Sequence, residues 1–203
     1  ILELKEIPHY TTLQKAAQRL LKKNNIRKLI EGILTIAAQA KIIKAKIQLV
    51  ALDGTGFESH HISRYFVQRK DREVKEKYQT TTYTRYPKAG VVCDTANHLI
   101  VCGIPERGSG PDQWHYDQAL QEMVRQKRVH TLLADAGYDS EANHVLARRR
   151  HNIRTIIPAT KGRKTTALPT THYRRLMRQR LSRWPSGQRW QVETVFSMIK
   201  RNL

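Results

Sequence analysis

Hydrophobic positions change period near residue 46, and that change sets the expected architecture. Up to residue 45 the period is helical. Pro8-His9-Tyr10-Thr11-Thr12 supplies a turn and an N-cap, and Leu13, Ala16, Ala17, Leu20 and Leu21 then recur at helical spacing. Asn24-Asn25 breaks the run, and a second amphipathic helix is expected from Ile26 to about Ala45. Such a pair is compatible with a DNA-reading helix-turn-helix, but two packed helices are common in every kind of scaffold.

From Lys46 the pattern is that of strands. Ile47 to Leu52 is a buried-strand run that ends in an acid, Asp53. Residues 62 to 79 are polar and charged and are expected to form a loop or extended arm. Tyr83–Val92, interrupted by Pro87, predicts a second strand; Asp94 to His98 a turn; and Leu99–Ile104 a third strand. A helix is expected from His115 to about Arg128. A fourth strand over Val129–Ala134 again ends in an acid, Asp135. Ser140 caps a helix to about Arg150, and Ile153–Ile157 is a fifth strand stopped by Pro158. Residues 159 to 187 look like a basic insertion, and a last helix is expected from Gln188. The order β-β-β-α-β-α-β-insertion-α predicts an α/β fold of the RNase H-like class: a mixed five-stranded sheet with flanking helices. The expected domains are a helical segment over 1–45 and a catalytic domain over 46–203. Because the chain begins at Ile1 and stops at Leu203 within a helix, a piece of a longer protein is expected.

That topology makes a demand on the acids. Strands one and four lie side by side in such a fold, so Asp53 and Asp135 should converge, and Glu193 on the last helix should reach them. Carboxylates ~4 Å apart repel by about 1 kcal/mol per pair in water and about 4 kcal/mol at intermediate dielectric. Cations relieve that repulsion, and Mg²⁺ prefers hard oxygen ligands. Taken singly, Asp53-Gly54 and Asp135-Ala136-Gly137 are also ordinary turn chemistry; the conjunction with Glu193 favours function. On the last helix Arg189, Glu193, Phe196 and Lys200 share a face at ~100° per residue. That face suits an acid holding metal between cations meeting phosphate, although Arg and Glu four residues apart are also an ordinary helix pair.

Charge adds a partner. The 203 residues carry 37 Lys+Arg against 17 Asp+Glu, a net charge of +20. Such an excess implies a polyanion. Basic residues recur through ordered-looking segments, as at Arg148-Arg149-Arg150 and Arg174 to Arg183, which favours a groove tracking a nucleic-acid backbone over a basic tail. The run Ser63-Arg64-Tyr65-Phe66-Val67-Gln68-Arg69-Lys70 mixes basic and aromatic residues, and Arg64, Arg69 and Lys70 are candidate DNA contacts. Trp114, Trp184 and Trp190 are candidates for stacking on bases, with core packing the competing role for Trp190. Cys93 and Cys102 on adjacent strands allow a cross-strand disulfide, but buried free thiols are expected, and no CxxC pair suggests zinc. No apolar run is long enough to span a membrane. A cytoplasmic, nucleoid-associated prokaryotic protein is expected.

Three motifs carry a resemblance: Leu52-Asp53-Gly54-Thr55-Gly56-Phe57, Leu133-Ala134-Asp135-Ala136-Gly137-Tyr138-Asp139-Ser140, and Arg189-x3-Glu193-x6-Lys200. In this order they resemble the DDE transposases of bacterial and archaeal insertion sequences, over nearly everything after residue 46. Thr11-Thr12-Leu13 is similar to the region before the catalytic domain in such proteins. The family usually has a Tyr three residues before the Arg; here Ser186 stands there. The resemblance implies a catalytic and metal-binding triad of Asp53, Asp135 and Glu193 with two Mg²⁺ or Mn²⁺ ions. It implies that Arg189 and Lys200 bind the transposon end. The implied reaction is cleavage at the element's ends and strand transfer into target DNA, by a homodimer in a synaptic complex. Alternatives are an RNase H-like nuclease without strand transfer, and a truncated or domesticated remnant that binds DNA without chemistry. Asp139, Asp94 and Asp112 rank below the triad: one past a strand end, one in a turn, one in the Gly-Pro loop. His60-His61 and His144 show no metal spacing and are expected to be surface residues.

Overall fold

A computed structural model describes residues 8–57, 87–107, 111–160, 168–181 and 187–201. The chain divides into two compact units, Ile1–Ile43 and Lys44–Leu203. In the first, α1 spans Tyr10–Leu20 and α2 spans Lys23–Gln39. The break falls at Leu21-Lys22, where Lys22 is extended, and not at Asn24-Asn25. Both asparagines lie in the first turn of α2, where backbone N–H groups lack helical partners and Asn is well tolerated. Asn25 there donates its side-chain amide to the Arg19 carbonyl of α1 at 3.2 Å. Leu34 and Ala37 of α2 are buried, while Leu13, Leu20, Leu29 and Ile36 are exposed.

The second unit is built on five strands: β1 Lys46–Gly56, β2 Pro87–Asp94, β3 Ile100–Arg107, β4 Arg128–Ala134 and β5 Arg154–Ile156. Their order across the sheet is β3-β2-β1-β4-β5. The first three are antiparallel, and β4 and β5 run parallel to β1. This is the mixed sheet of the RNase H-like class expected from the sequence. Pro87 opens the described part of β2, so of the strand expected from Tyr83 only residues from 87 on lie among those described. Pro105 is tolerated in β3 because β3 is an edge strand and its missing N–H interrupts no inner ladder.

Helices cover both faces. The helix α3, Tyr116–Gln126, buries Tyr116, Ala119, Leu120 and Met123. The helix α4, Glu141–Val145, runs on into a wider π-type turn over Leu146–Arg150. The region expected as an insertion contains α5, His172–Arg180. The last helix, α6, Gln191–Arg201, follows a 3₁₀ turn over Gln188–Trp190. One core cluster joins Ala51, Val91, Cys93, Leu133 and Ile156 of the sheet to Val192, Val195 and Phe196 of α6. Phe196 is therefore part of the docking stripe and not of the acid-bearing face expected from helical spacing; the apolar stripe is set by Val192, Val195 and Phe196, with Ile199 packed beside them.

The two cysteines are free and buried. Cys102 is paired with Val92, the neighbour of Cys93, so the two thiols lie on opposite faces of the sheet. Cys93 packs under α6, whereas Cys102 donates to the Ala119 carbonyl of α3 at 3.5 Å. A disulfide between them is excluded by that geometry. Burial pushes each thiol up to about 12, which keeps both protonated and unreactive.

Candidate active site

The register of β1 and β4 decides where the acids go. The parallel ladder ends with Leu52 beside Ala134, so Asp53 and Asp135 are the next residues on adjacent strand ends. Neighbouring strands lie about 4.8 Å apart. Asp53 shares the face of Ala51, and Asp135, still extended at φ −78° and ψ 177°, shares that of Leu133. Ala51 and Leu133 both pack against α6, so both acids lie on the face that α6 covers. Each carboxylate is held by the turn that follows it. Asp53 Oδ1 accepts from the Gly54 N–H at 2.8 Å, and Asp135 Oδ1 from the Gly137 N–H at 2.7 Å.

Glu193 joins them through Arg189. One guanidinium nitrogen of Arg189 donates to Asp53 Oδ2 at 3.0 Å and another to Glu193 Oε1 at 3.1 Å. A cation thus stands between two of the three acids. Burial raises the Asp53 pKa above the ordinary carboxylate range. The Gly54 N–H and Arg189 oppose that rise, while Asp135 and Asp112 add to it by repulsion. An oxygen-only donor set crowded enough to disfavour its own ionisation suits a hard divalent cation. Among the described residues, no group of three or more Asp, Glu, His or Cys side chains is already arranged around one ion position. With Arg189 in its present place, Glu193 would meet an ion only after that guanidinium moved.

The other candidate residues are distributed as follows. Lys200 is exposed on α6, two turns beyond Glu193, with no described contact to the acids. Arg64, Arg69 and Lys70 lie outside the described residues, as do His60-His61, Trp184 and Ser186. Trp190 is 54% exposed, so core packing is not its role, and Trp114 is 75% exposed. Each stands beside a residue of the cleft in sequence, Arg189 and Asp112 respectively. Asp139 turns away from the cleft into a fork with Arg174, with Nη2 2.8 Å from Oδ2. His144, expected at the surface, is instead fully buried against Thr155.

Sequence reasoning undervalued Asp112. It begins a 3₁₀ turn over Asp112–His115, and its Oδ1 pairs with Lys88 Nζ. A Cβ at Gly54 would lie 2.8 Å from Asp112 Oδ1, and one at Gly137 would lie 3.5 Å from Oδ2. The carboxylate therefore reaches both acid-bearing turns. Beneath it runs a buried polar chain that the sequence did not signal. Tyr138 OH lies 2.6 Å from His115 Nε2, and Glu106 Oε2 lies 2.9 Å from His115 Nδ1, too far off line for a hydrogen bond. Glu106 is also 4.0 Å from Lys88. Burial first, then the negative charges of Asp112, Asp53 and Asp135, push the Tyr138 hydroxyl strongly upward, so it stays protonated.

Comparison with known proteins follows this geometry. Residues 44–203 match the model of the transposase DDE domain. The chain belongs to that family. No curated protein matches it. Among solved structures, the crystal structure of the Mos1 mariner paired end complex with Mn is similar at a TM-score of 0.34 and 14% identity, over 76% of this chain and 46% of that one. The chain thus spans less than half the length of that protein. Among the described residues, no helix of this DDE-domain protein is long and apolar enough to cross a membrane.

Proposed function

We propose that this chain is the catalytic part of a DNA transposase that cuts phosphodiester bonds at element ends and joins them to target DNA. The observation that carries the reading is the placement of Asp53 and Asp135 on adjoining strand ends, with Glu193 tied to Asp53 by Arg189, in a chain of the DDE family. Asp53, Asp135 and Glu193 would hold two Mg²⁺ or Mn²⁺ ions. Bound there, such ions supply Lewis-acid activation of the attacking oxygen and stabilise the leaving oxygen. The protein's own part is to fix the acids. Gly54 and Gly137 each orient one carboxylate by a backbone N–H, and α6 carries Glu193 on a packed helix that cannot drift.

In cleavage, a water oxygen bonds to phosphorus as the bond from phosphorus to the 3′ oxygen breaks. That oxygen takes a proton and becomes a free 3′-hydroxyl. In joining, the 3′-hydroxyl attacks a target phosphodiester, which releases a 3′-hydroxyl on the target strand and leaves the count of bonds unchanged. Arg189, once released from the acids, is placed to meet a phosphate near the cut, and Lys200 lies farther along the same helix. Arg64, Arg69 and Lys70 extend the DNA contact. Trp114 and Trp190 offer exposed rings on which bases can stack. At the opposite ends of the parallel strands, Lys46, His130, Arg148 and Arg154 line an open cavity of about 450 Å³ whose lining holds no acid, which suits a backbone phosphate. Two copies, one for each element end, form the working assembly.

Incubation of supercoiled plasmid with and without Mg²⁺ or Mn²⁺ tests this reading, with Asp135→Asn as control. Metal-dependent nicking that disappears in the control is expected. DNA binding that persists without any nicking in the parent protein would reduce the chain to a binding remnant. Nicking without joined products from a substrate carrying element ends would make it a nuclease.

A further inference from the structure

We propose that Asp112 is a fourth carboxylate of the cleft, held by Lys88 in the metal-free protein and able to ligate a divalent cation beside Asp53 and Asp135. The proposal rests on the metal-dependent reading above. Its own support is positional. The Asp112 oxygens approach Gly54 on one side and Gly137 on the other, the same two residues whose N–H groups orient Asp53 and Asp135. A side chain at Gly54 would occupy the space of Asp112 Oδ1 outright. Absence of a side chain at residue 54 is what lets a carboxylate from a distant turn enter the gap.

Charge points the same way. Asp112 and Asp135 both act on Asp53 as repelling neighbours, so three acids share one region of field. A purely structural Asp112 would be better placed away from two like charges. Protein cations already stand at two points of the cleft. Arg189 lies on Asp53 and Glu193, and Lys88, its side chain only 10% exposed, lies on Asp112. Both are attached by single chains that can withdraw. Lys88 is the smaller and more strongly hydrated charge, and a divalent ion with its own waters competes for the same oxygens. The Tyr138–His115–Glu106 chain beneath supplies a second acid, Glu106, toward which the Lys88 ammonium can shift when Asp112 is taken. Asp112 then serves the ion and Lys88 remains paired.

Mn²⁺ binding to the full chain, read by calorimetry and by the loss of free-ion electron paramagnetic resonance signal, tests the assignment without any assay of cleavage. Asp112→Asn is expected to weaken binding at least ~10-fold or to remove one ion from the stoichiometry. Lys88→Gln is expected to do the reverse and tighten binding several-fold, an outcome that breaking a merely structural ion pair does not produce. Unchanged binding in Asp112→Asn with its circular dichroism intact overturns the proposal. So does weaker or unchanged binding in Lys88→Gln, which decides the matter if Asp112→Asn does not fold. Asp135→Asn separates the two levels: if it loses Mn²⁺ while Asp112→Asn does not, only the fourth carboxylate fails. If the parent protein binds no Mn²⁺, the metal reading fails and takes Asp112 with it.

Discussion

Arg189 Nη1 donates to Asp53 Oδ2 at 3.0 Å, joining residues 136 positions apart in the chain. This bond makes α6 report on the end of β1. It also makes Arg189 a cation resident where a metal ion would act. Removing it has two consequences of known sign. Arg189 lowers the Asp53 pKa, so Arg189→Gln should raise it further, as a carboxyl-carbon NMR titration of the metal-free protein would show. Loss of the resident cation should also tighten Mn²⁺ binding by about 5-fold, the equivalent of the ~1 kcal/mol typical of a part-exposed ion pair. Weaker Mn²⁺ binding in Arg189→Gln would mean that the guanidinium organises the acids for metal and does not compete with it.

Gly90 faces Gly54 across β1 and β2, and the His115 ring lies over it. A Cβ at residue 90 would sit 2.5 Å from His115 Cδ2 and Nε2. The ring is buried and held by Tyr138, so it has little room to yield. Gly90→Ala should therefore cost about 2 kcal/mol by overpacking. For a domain of this size that is a fall in Tm of roughly 4–8 °C. An unchanged Tm by calorimetry would show that the His115 ring shifts freely, and that the polar chain below Asp112 is loose.

Asp139 belongs to a different site. Its side chain is fully buried, and Arg174, the Thr160 hydroxyl and the Thr160 N–H all donate to it. These bonds hold its carboxyl below the ordinary range in spite of burial. Asp139→Asn would leave Arg174 with an amide in place of a charge, at a cost of about 3 kcal/mol. The expected signature is a lower midpoint in urea with Mn²⁺ affinity unchanged. Altered Mn²⁺ binding in a folded Asp139→Asn protein would bring this acid into the cleft after all.

How far the sequence carries can be judged from these same residues. Asp53 and Asp135 were legible because each ends a β-period run, and a parallel neighbour relation turns two strand ends into one place. Glu193 was legible only by its spacing from Arg189. Asp112 was not, because its significance depends on two glycines over 50 and about 25 residues away, and a Gly-Pro loop says nothing of where its next side chain points. Phe196 was misplaced for a related reason. Helical spacing of about 100° per residue sorts residues into sectors, and the sector boundary between Val192 and Glu193 is set by the sheet that α6 packs on. His144 was read from composition as a surface residue, whereas its place under Arg148 and Tyr173 comes from the π-type turn, which no local pattern announced.

That buried His144 should govern the first stage of acid destabilisation. Its Nδ1 lies 2.6 Å from Thr155 Oγ1, Nε2 has no described hydrogen-bond partner, and no part of the residue reaches solvent. Burial pushes its pKa down to about 4; Arg148 and Arg174 lower it further, while Asp139 and Glu141 pull the other way. The unfolded chain takes up a proton near pH 6.5 that the folded chain refuses until about pH 4. The unfolded state therefore binds more protons throughout that window, and stability falls with falling pH across it, by roughly 3 kcal/mol at most. Asp139 and Glu141, both held below the ordinary carboxylate range, add their losses only under about pH 4, so the two stages separate. His144→Asn leaves a polar group near Thr155 and removes the imidazole. Its Tm should be lower than the parent's at pH 7, yet nearly flat between pH 6.5 and pH 4.5, where the parent's Tm declines. A decline of equal slope in both proteins would assign the loss to other groups and place His144 in contact with water.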